Sequence, residues 1–310
     1  MDRVKRLIHA QNGEIWPYDG SGITAAVLDT GIAMHPDFAD RVIGFKDFVG
    51  TSRLPYDDCG HGTHVTGCLC GSGFCSKGRF SGVASGCRIL AGKVLDEKGD
   101  GTILGMIEGM EWILKNRALY QVKILNISIS MGEVENVALM QRLISCLDRA
   151  WDDGIFVVVA AGNRGPASRS LSHLGESSKV VTVGCHDGLD WRGKEHSCEL
   201  YSGRGPAGTS LKKPDIVAPG TDITSCNAWF RNTPRGYKDP YTVKNGTSMS
   251  TPLVAGAAAL CFQKYPWYTN EQVKRRILRT ATDLDEPWSK QGWGMLNVAR
   301  MLGVTRRAVR

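Results

Sequence analysis

Short apolar runs alternate along the chain with longer stretches of helical periodicity. Several of the apolar runs are continuous in valine, isoleucine and leucine, which is typical of strands that are buried on both faces. We predict strands over 23–28, 89–95, 123–129, 155–160, 180–184 and 215–217. We predict helices near 62–72, 102–118, 134–153, 249–264 and 270–281.

This alternation of strands and helices predicts the fold class. Strands separated by helices of this length form βαβ crossovers, which build a parallel sheet covered on both faces. The sequence has no internal repeat, no low-complexity segment and no linker-like stretch. We therefore expect a single α/β domain over residues 1–310.

Composition and charge exclude some classes of protein. Of the 310 residues, 42% are hydrophobic, and they form no apolar run long enough to span a membrane. No apolar stretch follows the basic N-terminus, so we expect a cytoplasmic protein, with secretion of a processed form as the alternative. The net charge of +7 is spread out: Lys274–Arg276 falls on a predicted helix, and Arg306, Arg307 and Arg310 fall on the tail. The positive charge is therefore better explained by solvent-exposed faces than by nucleic-acid binding.

The ten cysteines form neither a metal motif nor a dense disulfide framework. Cys68, Cys70 and Cys75 cluster, but no C-x-x-C pair or matching histidine motif accompanies them. We expect scattered, reduced thiols and no zinc site.

Three polar residues fall where parallel sheets form active sites, which is at the carboxyl ends of strands and at helix starts. Asp29 ends the run I-T-A-A-V-L, His61 lies in D-D-C-G-H-G-T-H-V, and Ser248 lies in N-G-T-S-M-S-T-P. Each has a structural reading when taken alone, as a loop-starting carboxylate, a histidine at a helix start and an N-cap serine. A serine at a helix N-terminus also lies beside partial positive charge, which would stabilise a developing oxyanion.

A fourth position points to acyl transfer. The predicted strand I-F-V-V-V-A-A leads into Gly162 and Asn163. An asparagine amide at a strand end can donate to the negative oxygen of a tetrahedral intermediate. The four positions together favour nucleophilic catalysis over four separate structural roles.

The motifs D-T-G, H-G-T-H-V, A-A-G-N and G-T-S-M-S-T-P resemble the four signatures of the subtilase family, in the same chain order. The resemblance runs from about Val4 to Leu302. Segments such as K-P-D-I-V-A-P-G and Q-G-W-G-M-L-N are similar to the intracellular subtilisin-like proteases of Gram-positive bacteria. The resemblance implies a three-layer subtilisin-like fold, with a central, mostly parallel sheet and helices on both faces, and serine endopeptidase activity.

The resemblance also implies roles for individual residues. Asp29 would orient and stabilise the imidazolium, His61 would act as general base and then general acid, and Ser248 would be the nucleophile. Asn163 and the backbone N–H of Ser248 would bind the oxyanion. His64 matches a position that is not catalytic, so we interpret it as structural.

Substrate contacts follow from the same resemblance, which implies peptide or protein substrates; charge and hydropathy predict neither a nucleic-acid nor a membrane partner. One segment would pair with the substrate backbone as an added strand. Other positions would border the primary specificity pocket. The strand-pairing residues are Ser130, Met131 and Gly132, and the pocket residues are Ala160 and Gly162, with Ser172 and His173 at its edge.

The chain departs from secreted relatives at three places. Asp37 matches a calcium ligand, but the loop G-S-G-F-C-S-K-G-R-F-S-G lacks the carboxylates that would complete the site, so we expect no calcium there and no required cofactor. Only 28 residues precede Asp29, too few for the long prodomain of many secreted relatives, so we expect either a mature fragment or a protein that folds without a prodomain. Cys59, two residues before His61, is either a thiol beside the site or a structural cysteine.

Two other functions remain alternatives to an active endopeptidase. A catalytically silent module could keep the groove for binding peptides, and labelling of Ser248 by a fluorophosphonate would distinguish the two. An esterase or peptide ligase would use the same acyl-enzyme. A convertase that cuts after paired basic residues is disfavoured, because no acidic cluster accompanies the groove segments.

Overall fold

The computed structural model describes residues 1–130, 136–188, 197–206 and 212–304. Its centre is a seven-stranded sheet in which each neighbouring pair of strands is parallel. The strands are β1 (Thr24–Asp29), β2 (Val42–Asp47), β3 (Arg88–Lys93), β4 (Val122–Ile127), β5 (Phe156–Ala160), β6 (Val181–Cys185) and β7 (Ile216–Ala218). Their order in the sheet is β2-β3-β1-β4-β5-β6-β7.

Helices cover both faces of the sheet and complete three layers. The long ones are α3 (His61–Cys70), α4 (Ile103–Tyr120), α5 (Val137–Asp152), α6 (Thr247–Lys264) and α7 (Asn270–Arg279). Helices α3 and α6 pack against each other, and so do α4 and α5. The short helices are α1 (Asp2–Leu7), α2 (Asn12–Ile15), α8 (Trp288–Gln291) and α9 (Val298–Leu302).

Two small antiparallel sheets follow the main one along the chain. Strand β8 (Ile223–Cys226) pairs with β11 (Tyr241–Lys244), and between them β9 (Arg231–Thr233) pairs with β10 (Gly236–Lys238). Strand β8 packs against α3, and β11 leads into the turn before α6. This hairpin region therefore lies beside the starts of both helices.

The central strands and the helix α6 form the core. Every residue of β1, β5 and β6 is buried, as expected for continuous apolar runs in a parallel sheet. Helix α6 is buried along almost its whole length and contacts β4, β5 and β6. The predicted α/β class and the three-layer arrangement are confirmed. No helix within the described ranges is long and apolar enough to cross a membrane.

Two local expectations were wrong. Strand β2 was not predicted, because its side chains are mostly only half-buried at the sheet edge and its apolar run is interrupted by Gly44 and Lys46. Lys274 was expected on a solvated face but is buried. Its ammonium lies 3.8 Å from a carboxylate oxygen of Asp215 and donates to the carbonyl oxygens of Ser178, Lys179 and Val180.

The expectation that all cysteines are unpaired was also wrong. Cys185 and Cys198 form a disulfide that joins the end of β6 to the segment 197–206. The other eight cysteines are free thiols, and most of them are buried in the core. The sequence did not predict this disulfide, because the two cysteines are thirteen residues apart and only the packing of the segment 197–206 against β6 brings them together.

Candidate active site

Asp29 and His61 are joined by a short hydrogen bond at the carboxyl end of the sheet. Asp29 is the last residue of β1 and is 1% exposed, whereas His61 is the first residue of α3 and its side chain is 25% exposed. The distance from Nδ1 of His61 to Oδ1 of Asp29 is 2.7 Å. Because Nδ1 is engaged, Nε2 is the ring nitrogen left for proton exchange.

The surroundings of His61 raise its pKa above the ordinary value for histidine. Burial by itself favours the neutral imidazole and lowers the pKa, but the charge of Asp29 and its hydrogen bond outweigh burial. The positive charge of Lys244, at the end of β11, acts in the opposite direction to Asp29. The ring is therefore held beside a carboxylate that stabilises its protonated form.

A second buried carboxylate holds the start of α3 in place. Asp57 accepts hydrogen bonds from the backbone N–H groups of Gly60 and Thr63, at 2.7 and 2.8 Å, and from the hydroxyls of Thr30 and Thr63. Thr30 follows Asp29, so Asp57 connects the end of β1 to the start of α3. Sequence analysis missed Asp57, although an acidic residue shortly before a helix is a capping signal.

Ser248 is the second residue of α6, and it is half-buried between buried neighbours. The helix begins immediately after Gly246, which adopts a positive φ. Among the described residues, no hydrogen bond joins the hydroxyl of Ser248 to His61, whose side chain bonds to Asp29. Catalytic hydrogen bonds are often long or poorly aligned in sites without substrate. The N-terminus of α6 places backbone N–H groups and partial positive charge at Ser248.

Asn163 is exposed and lies three residues beyond the end of β5. Its carbonyl oxygen accepts hydrogen bonds from the backbone N–H and the hydroxyl of Thr247, both at 3.0 Å. Thr247 also accepts from the backbone N–H of Gly162. These contacts orient the amide of Asn163 and leave its NH₂ group as a donor. Sequence analysis missed Thr247, although it stands directly before Ser248 in the G-T-S motif.

The residues predicted to bind substrate follow β4 and β5. Ser130 is exposed just beyond β4, whereas Met131 and Gly132 lie outside the described residues. Ala160 ends β5 and is buried. Gly162 has a φ of +94°, and a Cβ atom there would lie 3.3 Å from the backbone N of Ser172. A glycine therefore lets the chain turn between β5 and Asn163 against a wall formed by Ser172.

The segment 197–206, which is held by the disulfide, supports the turn at Gly162. Gly203 donates to the carbonyl of Gly162 at 2.8 Å, and Gly165 donates to the carbonyl of Tyr201 at 2.8 Å. The hydroxyl of Ser202 accepts from the backbone N–H of Cys185. The disulfide, the end of β6 and the turn at Gly162 thus form one connected structure.

His64 and Cys59 lie on either side of His61 in the sequence and have different surroundings. His64 is fully buried, its Nε2 donates to the carbonyl of Ile223, and burial lowers its pKa to about 3, so it stays neutral. These surroundings suit the structural role that we predicted for it. Cys59 is half-buried, and burial raises the pKa of its thiol.

Asp37 has a hydrogen-bonding role at the position that matches a calcium ligand. Its carboxylate accepts from the backbone N–H groups of Gly73 and Cys75 and from the hydroxyl of Tyr241. These donors point hydrogens toward the carboxylate, whereas calcium requires oxygen ligands. His35 and Cys226 lie beside it and complete a group of three potential metal ligands, of which only Asp37 offers oxygen. The residues present do not fit calcium.

Comparison with known proteins places these features in one family. The model of the subtilase family matches residues 20–294. Serine protease AprX of Bacillus subtilis (strain 168) is 38% identical, over 96% of this chain and 70% of its own length. Subtilisin DY of Bacillus licheniformis is 34% identical, over 94% of this chain and 95% of its own length.

Solved structures agree with the sequence comparison. Sphericase is similar with a TM-score of 0.78 at 26% identity, covering 95% of this chain and 97% of its own. A cold-adapted subtilisin-like serine proteinase is similar with a TM-score of 0.70 at 28% identity, covering 91% of this chain and 90% of its own.

Proposed function

The chain belongs to the subtilase family and is a serine-type endopeptidase, and on this premise we propose that it cleaves peptide bonds through an acyl-enzyme on Ser248. Asp29, His61 and Ser248 form the catalytic triad. Asn163 and the backbone N–H of Ser248 bind the oxyanion. Its substrates are peptides or proteins.

The bond between the buried carboxylate of Asp29 and Nδ1 of His61 carries this proposal. It leaves Nε2 to accept the proton of Ser248 as the hydroxyl attacks the carbonyl carbon of the scissile bond. The imidazolium then gives that proton to the departing amine. Water, deprotonated by the same nitrogen, hydrolyses the ester and restores Ser248.

The oxyanion donors are supported by the contacts of Thr247. Its N–H and hydroxyl hold the carbonyl oxygen of Asn163, so the amide NH₂ of Asn163 is oriented before substrate binds. A donor fixed in advance stabilises the developing charge without reorganisation at the moment of reaction. The N-terminus of α6 adds the backbone N–H of Ser248 to the same site.

Replacement of Ser248 tests the assignment. We expect Ser248→Ala to lower kcat by roughly 10⁶, the loss known for the nucleophile of subtilisin, because the triad acts as a unit. The same change should abolish covalent labelling by a fluorophosphonate, read as a mass shift of the intact protein.

Ser250 provides a matched control on the same helix. Its hydroxyl donates to the carbonyl of Ala218 inside the core, so Ser250→Ala should still be labelled at Ser248. Retention of a tenth of the wild-type activity in Ser248→Ala would overturn the assignment. Labelling of a residue other than Ser248 would do the same.

A further inference from the structure

Trp229 is an exposed aromatic side chain beside the turn that carries His61. It lies between β8 and β9, and 56% of its surface is exposed. Its ring packs on Gly60, the residue directly before His61. A Cβ atom built on Gly60 would lie 2.8 Å from Cζ3 and 2.9 Å from Cη2 of Trp229. The edge of the ring therefore occupies the space that a side chain at position 60 would fill.

The backbone on both sides of Trp229 is fixed. Its N–H donates to the side chain of Asn227, which in turn donates to the carbonyl of Asp239 across the hairpin. Phe230, the next residue, packs edge-on against His35 with the ring centroids 4.8 Å apart. The ring of Trp229 is thus held at one edge, and more than half of the residue's surface faces solvent.

Trp267, another exposed tryptophan, lies in different surroundings. Trp267 packs against the rings of Tyr265 and Tyr268, with centroids 6.0 and 6.3 Å away. Within the described ranges, no aromatic ring contact and no cation–π contact is made by Trp229. An anchored ring of this kind, next to a reactive imidazole, has the form of a platform for a ligand side chain.

The position of Trp229 indicates which half of a substrate it would meet. The segments expected to hold the acyl half follow β4 and β5, at Ser130 and Gly162. Trp229 belongs to the hairpin region after β8, a strand that packs against α3 rather than against β4 or β5, and its ring contacts the residue before His61. A peptide that crosses Ser248 from the β4–β5 side must continue past His61, because His61 delivers the proton to the departing amine.

We propose that Trp229 forms an aromatic subsite for the substrate residue that follows the cleaved bond, and that it selects large apolar or aromatic side chains there. The proposal rests on the assignment of His61 and Ser248 above. Burial of an apolar side chain against the ring favours binding of the amine half. A glycine at that position would leave the ring exposed.

Matched substrates separate this subsite from the rest of the machinery. Three substrates share one acyl half: a quenched fluorescent peptide with phenylalanine after the cleaved bond, the same peptide with glycine, and a methyl ester without an amine half. Rates are expressed per Ser248 titrated with a fluorophosphonate, so a smaller amount of folded enzyme does not affect the comparison between variants. Trp229→Ala, Trp229→Phe and Trp267→Ala are compared with wild type.

We expect Trp229→Ala to lower kcat/KM about ten-fold for the phenylalanine peptide and less than about two-fold for the glycine peptide and the ester. Trp229→Phe should keep most of the preference for phenylalanine. Trp267→Ala should leave all three rates unchanged, because Trp267 lies beyond the far end of α6, a helix of 18 residues that is about 27 Å long.

Other outcomes overturn the proposal. An equal fall for all three substrates would mean that the ring only supports the turn before His61. Unchanged rates would mean that the ring does not touch substrate. If wild-type enzyme is not labelled at Ser248, the proposed function itself fails, whatever Trp229 does.

Discussion

At the scale of single residues, the charge state of His61 depends on two neighbours of opposite sign. Asp29 raises its pKa through charge and a 2.7 Å hydrogen bond, and this outweighs burial, which lowers it. Lys244 opposes Asp29. The general base must be neutral, so activity should appear as pH rises through the pKa of His61.

The pH profile of Lys244→Gln tests this balance. In the wild-type enzyme, the midpoint of the rising limb of kcat/KM should lie above pH 6.5, because the pKa is raised from that value. Removal of the positive charge should move the midpoint further up, since protonation of His61 is then opposed less. The shift should shrink at high salt, because Lys244 is only half-buried and salt screens its charge.

Lys264→Gln serves as the control for this measurement. Lys264 is the last residue of α6, at the opposite end of the helix from Ser248, and its ammonium donates to the carbonyl of Leu302. Removal of the Lys264 charge should not change the midpoint of the pH profile of kcat/KM. An unchanged midpoint in Lys244→Gln at low ionic strength would contradict the role of Lys244.

At the scale of secondary structure elements, helix α3 begins where Asp57 holds it. The carboxylate accepts from the N–H of Gly60, directly before the helix, from the N–H of Thr63 in its first turn, and from two threonine hydroxyls. The N-terminal N–H groups of a helix have no partner within the helix, so a buried start requires acceptors from elsewhere. Asp57 supplies them and thereby fixes the position of His61 relative to Asp29.

Asp57→Ala should therefore damage both stability and activity. Loss of the acceptors leaves buried donors unsatisfied, and we expect the free energy of unfolding to fall by about 3 kcal/mol. The rate of Ser248 labelling by a fluorophosphonate should also fall, because His61 is no longer held. Urea unfolding followed by circular dichroism measures the first effect, and intact mass measures the second.

The matched control is Asp239→Asn, because residue 239 has a positive φ that asparagine adopts more readily than alanine. This aspartate is exposed, and its ion pair with Arg231, at 3.4 Å, is also exposed. Such pairs contribute little to stability. The control should unfold at the wild-type urea concentration. If Asp57→Ala does the same, the carboxylate is not what holds the start of α3.

At the scale of the whole molecule, one disulfide connects the sheet to the segment that supports the turn at 162–165. Cys185 ends β6, and Cys198 begins the segment whose residues Tyr201 and Gly203 bond to the turn at 162–165. Through these contacts, a covalent link outside the proposed triad fixes the backbone beside Asn163. The segment has no long helix or strand of its own to hold it there.

Removal of this link should lower stability measurably. The two cysteines are thirteen residues apart, and a disulfide that closes a loop of this size contributes about 3 kcal/mol. We expect Cys185→Ser with Cys198→Ser to unfold at lower urea concentration than the oxidised wild type. Addition of a reductant should lower the urea concentration at which the wild type unfolds to that of the double variant. The reductant should not change the urea concentration at which the double variant unfolds.

A thiol count checks the pairing directly. Denatured, unreduced protein should react with a maleimide at eight cysteines, and a count of ten would contradict the disulfide. Disulfides persist in oxidising surroundings. The cytoplasmic location expected from the sequence stays a prediction, and a count on protein taken directly from cells would bear on it.

The sequence by itself determined the layers of the fold and the positions of the chemistry. Apolar runs, several of them continuous, predicted six of the seven sheet strands, because strands buried on both faces consist mostly of apolar residues. The motifs around Asp29, His61, Asn163 and Ser248 pointed to the carboxyl edge of the sheet, where the structure has Asp29 ending β1 and Asn163 following β5. Local order along the chain was sufficient for these features.

Only the tertiary structure decided the features that depend on residues distant in sequence. The half-buried strand β2, the buried ammonium of Lys274 and the pairing of Cys185 with Cys198 each depend on what packs nearby, which no local pattern encodes. Trp229 is the clearest case. In the sequence it lies 169 positions after Gly60, and only the packing of β8 against α3 brings its ring to the turn before His61.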